Sequence, residues 1–323
     1  MKPKNILFIT ATRLGDAVLS TGLLSAAIAQ YPGAAVTVAC GPVCAPIFRA
    51  VPGLQKIIVM KKQPYSRHWL QMWQACFATH WDLIMDLRRS FAARLLIGRR
   101  VEIPRDQDGE HKVEQYARVL KLSPAPAPHI WFDEAVSRAA EILLPANRNY
   151  LAVGPTANWI GKTWPVERFI EVIESLISPG EIFANFTPVI FGAPGEEDQV
   201  TPILTTLGGR VINLVGKLDP LAAAAAIARC KFFIGNDSGL MHTAAAVGVP
   251  TLGLFGPSHP EIYGPWGEHT HYVRTDKNFA ELIGAPGYDH RMTGTLMKSL
   301  PVRRVLQSAQ SLWHKMQSMG QVA

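Results

Sequence analysis

The segment Gly235-Asn236-Asp237-Ser238-Gly239 joins a β-rich run, Phe232-Phe233-Ile234, to a helix-forming run, Leu240-Met241-His242-Thr243-Ala244. Glycines at both ends let the backbone turn tightly, and Asp237 or Ser238 suits a helix cap. A helix starting here presents free N–H groups and the positive end of its dipole, which is the chemistry of a phosphate site. An ordinary capped helix start has the same sequence, so both readings stand. Asp237 would repel a phosphate, so its carboxylate must turn to the cap, to a sugar or to basic contacts. His242 follows Ser238 by one helical turn and either meets the phosphate or packs.

Three other turns carry reactive groups. Gly154 through Pro165 (GPTANWIGKTWP) follows an apolar run and brings Lys162, which can neutralise a departing diphosphate. Gly161-Lys162-Thr163 is not a Walker A loop, because Thr156 stands where that spacing needs glycine. Gly192-Ala193-Pro194-Gly195-Glu196-Glu197-Asp198 follows Pro188–Phe191; Glu196 can accept from ribose hydroxyls or complement a helix dipole. Arg13-Leu14-Gly15-Asp16 ends the first apolar run, and Asp16 is either a helix cap or a base. With a reference pKa of about 3.9 it takes a proton only late in an attack, as positive charge builds on the attacking hydroxyl. Gly256-Pro257-Ser258-His259-Pro260 is a further turn leaving the same side of the second sheet.

These turns need strands and helices to hold them. Asn5–Thr10, an amphipathic stretch from Asp16 to Gln30 and Ala35–Ala39 read as a βαβ unit, with further strands at Lys56–Met60 and Leu83–Leu87. The proline-rich stretch 123–128 reads as a surface connector, and a helix over about 133–144 precedes a fresh strand at Tyr150–Val153. The second half alternates strands at 188–191, 211–214, 231–234 and 251–254 with helices at 165–177, 196–207, 219–229 and 238–247. Strand–helix alternation predicts two doubly wound parallel sheets covered by helices on both faces. The chain thus divides near residue 147 into domains 1–147 and 148–300, with a last helix from about 301 packing across the boundary onto the first domain.

The 323 residues are 48% hydrophobic and 18% charged, a globular composition with material for two cores. Uncharged stretches at 17–48 and 238–260 are broken by Gly and Pro and read as buried helix-turn-strand units rather than membrane spans. The four cysteines, Cys40, Cys44, Cys76 and Cys230, read as reduced thiols, and the ten histidines show no metal-ligand spacing. Asp106-Gln107-Asp108 has a D-x-D pattern but lies away from the other motifs. Interruption of the first apolar run by Arg13 and Asp16 argues against a signal peptide. The net charge of +7 resides wholly in residues 1–147, with 18 Lys+Arg against 11 Asp+Glu; the remainder balances at 14 each. Lys61, Lys62, Arg67, Arg88, Arg89, Arg94, Arg99 and Arg100 form a basic stretch suited to phosphates or anionic headgroups, or to plain solvation.

Ile6-Leu7-Phe8-Ile9 through Leu14-Gly15-Asp16, His80-Trp81-Asp82-Leu83-Ile84-Met85-Asp86-Leu87, Lys162-Thr163-Trp164-Pro165, Gly192 through Glu196, Gly235 through His242 and Leu254-Phe255-Gly256-Pro257 occur in this order. Together they resemble the heptosyltransferase family, glycosyltransferase family 9, which adds ADP-heptose to the lipopolysaccharide inner core. The resemblance implies a GT-B fold, two Rossmann-like domains facing a central cleft, with the donor held by the C-terminal domain and the acceptor by the basic N-terminal one. It implies Asp16 as general base and Lys162 as catalytic ligand of the donor phosphate. Ser238, Gly239 and His242 would cradle the diphosphate, Glu196 would meet the ribose, and Thr156, Ala157, Leu218 and Asp237 would complete the donor site.

Arg13, Lys61, Lys62, Arg67, Arg88 and Arg89 are the candidate acceptor contacts. The implied reaction is inverting and uses neither metal nor cofactor. Its partners are a nucleotide sugar and an anionic lipid-linked saccharide at the membrane surface, with no nucleic acid and no obligate protein partner. The implied location is the cytoplasm, peripherally on the cytoplasmic face of the inner membrane. A related protein with another donor or acceptor has the same motifs. A dinucleotide-dependent oxidoreductase would need G-x-G-x-x-G after the first strand, where Thr12–Gly15 holds one glycine. A non-catalytic relative would tolerate loss of Asp16 or Lys162; both are present.

Overall fold

The computed structural model describes residues 4–289 and 294–320. The chain forms two compact units, Met1–Glu134 and Ala135–Ala323. In the first, β1 (Asn5–Ile9) leads to α1 (Leu14–Leu19), α2 (Thr21–Gln30), β2 (Ala35–Cys40) and β3 (Leu54–Val59). Then come α3 (Arg67–Cys76), β4 (Trp81–Asp86), α4 (Phe91–Arg94), β5 (Gly98–Glu102) and α5 (Lys112–Ala117). The five strands pair in parallel in the order β3-β2-β1-β4-β5. Strand β1 is central and apolar because it is buried on both faces, as parallel strands are.

The single helix predicted over 16–30 is two, α1 and α2. Ser20 Oγ donates to Ala17 O at 2.7 Å and Thr21 Oγ1 to Val18 O at 2.7 Å, and such back-bonding hydroxyls compete with the regular helix ladder. Thr21 Oγ1 also accepts from His129 N at 2.8 Å, which fixes the proline-rich stretch against α2. That stretch is therefore a packed part of the first unit and not only a surface connector. A Cβ at Gly22 would lie 2.3 Å from Pro126 O, so only glycine lets the two backbones approach this closely. Gly22→Val should destabilise the protein by about 2 kcal/mol, the overpacking cost outweighing any gain over glycine in helix propensity. Urea unfolding measures it; an unchanged midpoint would show that the contact yields freely.

The second unit follows α6 (Glu134–Leu143) with β6 (Asn149–Gly154), α7 (Val166–Ile177), β7 (Phe186–Ile190), α8 (Glu197–Leu207) and β8 (Ile212–Asn213). It continues with α9 (Pro220–Ile227), β9 (Phe232–Asn236), α10 (Gly239–Ala246), β10 (Thr251–Phe255) and α11 (Pro260–Tyr263). It ends with β11 (Thr270–Arg274), α12 (Phe279–Ile283) and α13 (Val302–Ser318). Its six strands are parallel in the order β11-β10-β9-β6-β7-β8. Numbered within the unit, that is the 3-2-1-4-5-6 order of a dinucleotide-type sheet, with its topological switch between β6 and β9. Each unit is thus a doubly wound α/β sheet, the class expected.

The division falls earlier than residue 147. Leu144 is fully buried with Tyr150, Ile227 and Phe233, and Arg229 Nε donates to Leu144 O at 3.1 Å, so the end of α6 is anchored in the second unit. Helix α13 also differs from expectation. Its inward residues Val305, Ala309, Leu312, Trp313 and Met316 join the core of the second unit, where Trp313 meets the rings of Phe183 and Phe186 edge-on at 5.0 and 5.6 Å. The aromatic pocket that seats Trp313 is built by strands and loops far apart in sequence, so the amphipathic stripe of α13 alone did not reveal its partner. No helix among the described residues is long and apolar enough to cross a membrane.

Candidate functional site

The second sheet brings the predicted donor residues to one edge. Thr156, Ala157 and Lys162 follow β6, Glu196 follows β7, Leu218 follows β8, and Asp237, Ser238, Gly239 and His242 follow β9, all beyond the carboxyl ends of parallel strands. In an open α/β sheet this edge, at the switch point, is where ligands bind. Gly154 and Gly235 face each other in register at that point, and a Cβ at Gly235 would lie 2.7 Å from Gly154 O. The strand ends are thereby held at minimum separation.

Lys162 Nζ and Asp237 Oδ2 form an ion pair at 2.5 Å, with Asp237 buried and Lys162 about a quarter exposed. This settles where the Asp237 carboxylate turns: toward the lysine, not toward the cap. Ser238 occupies the N-cap position of α10 in extended conformation without a side-chain cap bond. Its Oγ, Thr163 Oγ1 and Ser258 Oγ are shut off from solvent and make no hydrogen bond within the described residues. Unsatisfied buried hydroxyls are rare in native proteins, and all three follow the carboxyl ends of parallel strands, Ser238 at the helix N-terminus itself. His242 is buried one turn into α10, and Leu218 packs against the core beneath.

Glu196 is held by the protein itself. Its Oε2 accepts from Thr156 Oγ1 at 2.5 Å and from Ala193 N at 2.8 Å, tying the loops after β6 and β7 together. The acidic groups within the first turn of α8 are Glu197 and Asp198, which complement its dipole.

Two supports of this edge were not singled out from sequence. Asn236 is fully buried; its Oδ1 accepts from Trp164 N at 3.1 Å and its Nδ2 donates to Pro155 O at 2.7 Å, clasping both ends of the loop that carries Lys162. Its place in the turn motif was visible, but its partners lie more than 70 residues away. The segment 294–300 supports the same loop from outside: Thr295 Oγ1 donates to Thr163 O, Leu296 N to Gly161 O, and Arg168 Nη1 to Lys298 O and Leu300 O. Asn236→Ala leaves a buried N–H and a buried C=O unpaired, so stability should fall by about 2–4 kcal/mol and the Lys162 loop should loosen. Denaturant titration with nucleotide affinity reads both; loss of neither would mean the clasp is redundant.

In the first unit the switch point lies between β1 and β4. Arg13 is the N-cap of α1, in extended conformation, and Asp16 stands within the first turn, so Asp16 is not the cap. The buried Cys44 thiol is pushed up to about 12 by burial first and then by the Asp16 carboxylate, while Arg88 draws it down; the three groups share one neighbourhood. Asp86, at the end of β4, is fully buried and accepts from Arg88 N, Ser90 N and Ser90 Oγ at 2.7–2.8 Å. Burial pushes its carboxyl up, offset in part by those bonds.

The basic residues of the first unit differ in their partners, and Arg99 Nη1 donates to Tyr31 Oη at 3.5 Å. Arg94 and Arg100 pair with Glu102, whereas Arg13, Lys61, Lys62, Arg67, Arg88 and Arg89 are exposed and make no ion pair with a described residue. Asp106 is engaged by Lys112 at 2.7 Å, and its carboxyl is lowered by that hydrogen bond. All four cysteines are buried and free, and among the described residues no cluster of His, Cys, Asp or Glu is arranged to hold a metal.

Comparison with known proteins identifies the family and the fold. The profile of glycosyltransferase family 9 (heptosyltransferase) matches residues 77–282. The lipopolysaccharide heptosyltransferase 2 of Salmonella typhimurium is 26% identical over 312 residues, covering 83% of this chain and 87% of that one. Among solved structures, a glycosyl transferase family 9 protein from Veillonella parvula superposes with a TM-score of 0.78 at 22% identity over 97% of both chains. The ADP-heptose lipopolysaccharide heptosyltransferase II of E. coli gives 0.75 at 22% identity, over 97% of this chain and 99% of that one. These solved structures share the fold, and the family match covers the carboxyl edge of the second sheet from the Lys162 loop to the turn at 235–239: the chain belongs to glycosyltransferase family 9, the heptosyltransferases, and is a glycosyltransferase.

Proposed function

We propose that the protein moves a heptose, or a related sugar, from a nucleoside-diphosphate sugar to a lipopolysaccharide core acceptor, with inversion and without a metal ion. The donor proposed is ADP-heptose, the sugar nucleotide in the name of the E. coli relative. The observation that carries the reading is the Lys162–Asp237 pair at the switch point, beside the N-terminus of α10 and the unsatisfied hydroxyl of Ser238. In this reading the diphosphate takes up the Lys162 ammonium and that hydroxyl, with Gly239 leaving room for close approach. Glu196, fixed by Thr156 and Ala193, turns its second carboxylate oxygen to the ribose, and Ala157 and Leu218 flank the base.

The acceptor hydroxyl attacks the anomeric carbon on the face opposite the diphosphate as the bond to the phosphate oxygen breaks. The electron pair leaves on that oxygen, where Lys162 and the helix N–H groups stabilise it. The hydroxyl proton passes to the Asp16 carboxylate, late in the step. The positive field of Lys162 and the helix terminus takes the place that a divalent cation holds in other sugar transfers. Arg13, Lys61, Lys62, Arg67, Arg88 and Arg89 meet the anionic groups of a lipid-linked acceptor on the cytoplasmic face of the inner membrane.

Incubation with candidate nucleotide sugars and a lipid A-linked core acceptor, in EDTA, tests this by release of nucleoside diphosphate. Turnover with ADP-heptose unaffected by EDTA is expected. Turnover confined to another sugar nucleotide would reassign the donor, and strict dependence on added metal would overturn the charge-stabilisation argument.

A further inference from the structure

Helices α3 and α4 of the first unit enclose an open groove of about 660 Å³. Its apolar lining comes from Trp69, Leu70 and Trp73 on one side and from Phe91 and Leu95 on the other, with Arg88 and Arg89 among the lining residues. Met72 and Cys76 of α3 are buried in the core and Trp69 and Trp73 pack partly against it, whereas Leu70, Phe91 and Leu95 are left exposed. The exposure beside the groove is unusual: Tyr65 is 95% exposed and Phe91 74%. Isolated apolar side chains on a surface need no explanation, but a contiguous apolar groove beside unpaired cations marks an interaction site.

Backbone strain gathers at the same place. Tyr65, Ser66 and Arg89 all have left-handed φ, at 52°, 56° and 50°, conformations that non-glycine residues adopt only where surroundings impose them. The turn Pro64–Ser66 thereby holds the Tyr65 ring out from the surface at the head of α3.

We propose that this face seats the protein on an anionic lipid bilayer, Tyr65 and Phe91 entering the interfacial layer and the cations of the proposed acceptor surface, Lys61, Lys62, Arg67, Arg88 and Arg89, meeting headgroup phosphates when no acceptor is bound. Aromatic side chains that are apolar at one end and polar at the other favour the headgroup level, and basic residues beside them add attraction to anionic lipid. A second copy of the chain fits less well, because a self-complementary contact would set the same unpaired arginines against each other. The proposal rests on the reading of the acceptor as lipid-linked, and it supplies the surface by which a chain without a described membrane-spanning helix would reach it.

The test is co-flotation of the full chain with vesicles of phosphatidylcholine alone and of phosphatidylcholine with phosphatidylglycerol, with neither donor nor acceptor present. Anionic vesicles should bind at least about tenfold better than neutral ones, and high salt should weaken that binding. Tyr65→Ser with Phe91→Ser should lower it by about tenfold, while transfer to a deacylated, water-soluble acceptor stays within about twofold of the parent. Equal behaviour toward both vesicles, or parental binding by the double variant, overturns the proposal. Binding that requires acceptor in the vesicles would give the face to the acceptor, and a dimer dissolved by the same changes would give it to a second copy; either overturns it too. Vesicle binding is read without turnover, so failure of the sugar-transfer reading leaves a separate signature: sound binding with no product.

Discussion

Asp16→Asn should lower sugar transfer by about 10²–10⁴-fold, the range expected when a positioned general base is lost, while nucleotide affinity stays within about twofold. Two carboxylates stand at the switch edge of the first sheet, and they differ in how they are held. Asp86 is fully buried and its oxygens are taken by Arg88 N, Ser90 N and Ser90 Oγ, so it builds the turn after β4 and has no access to a substrate proton. Asp16 is half-buried in the first turn of α1, whose N-cap is Arg13. Because Asp16 is not the cap, the asparagine variant, which keeps the size and a polar oxygen of the side chain, gives up the helix-dipole interaction worth about 0.3–1 kcal/mol. Turnover should fall far more than melting temperature does. A variant that keeps most of its rate would show the base to be elsewhere, and one that loses rate only in proportion to its folded fraction would make Asp16 structural.

The alternation of apolar runs and amphipathic stretches carried most of the fold, because central parallel strands are buried on both faces and helices on one. What escaped was peripheral or tertiary. Strands β5 (GRRVE) and β11 (THYVR) are sheet edges, polar because an edge faces solvent, and so they lack the apolar run by which inner strands are recognised. The break between α1 and α2 depends on hydroxyls whose partners include His129, and the placement of α13 on aromatic residues from Phe183 to Phe232.

The candidate donor site was legible for a different reason. In a parallel sheet every strand-to-helix turn opens on the same edge, so motifs read separately at 156–162, 192–196 and 235–242 had to converge once the strands were aligned. Which groups bond to which was not legible. Asp237 with Lys162, Asn236 with Pro155 and Trp164, and Glu196 with Thr156 are choices made by loops, where spacing carries no information about side-chain direction.

The Lys162–Asp237 pair leads to the second large effect. Lys162→Ala removes the one positive side chain at 2.5 Å from a carboxylate that is only 6% exposed, and leaves that carboxylate beside the proposed diphosphate position. Two losses should add: the field that stabilises the leaving phosphate, worth about 10²–10³ in turnover where one preorganised donor is removed, and donor affinity, because the uncompensated Asp237 now repels the ligand.

These losses separate in the double variant. Lys162→Ala with Asp237→Asn removes the repulsion without restoring the field, so donor affinity should recover by about tenfold over the single variant while turnover stays low. Lys162→Arg keeps the charge but not the point-like ammonium, so it should bind the donor and turn over at an intermediate rate. Isothermal titration with ADP alongside steady-state transfer distinguishes the cases. If the double variant binds ADP no better than Lys162→Ala, Asp237 does not face the phosphate and serves only to place the lysine. If Lys162→Ala keeps its turnover at saturating donor, the positive charge that assists departure comes from the helix terminus alone, and the lysine acts in binding.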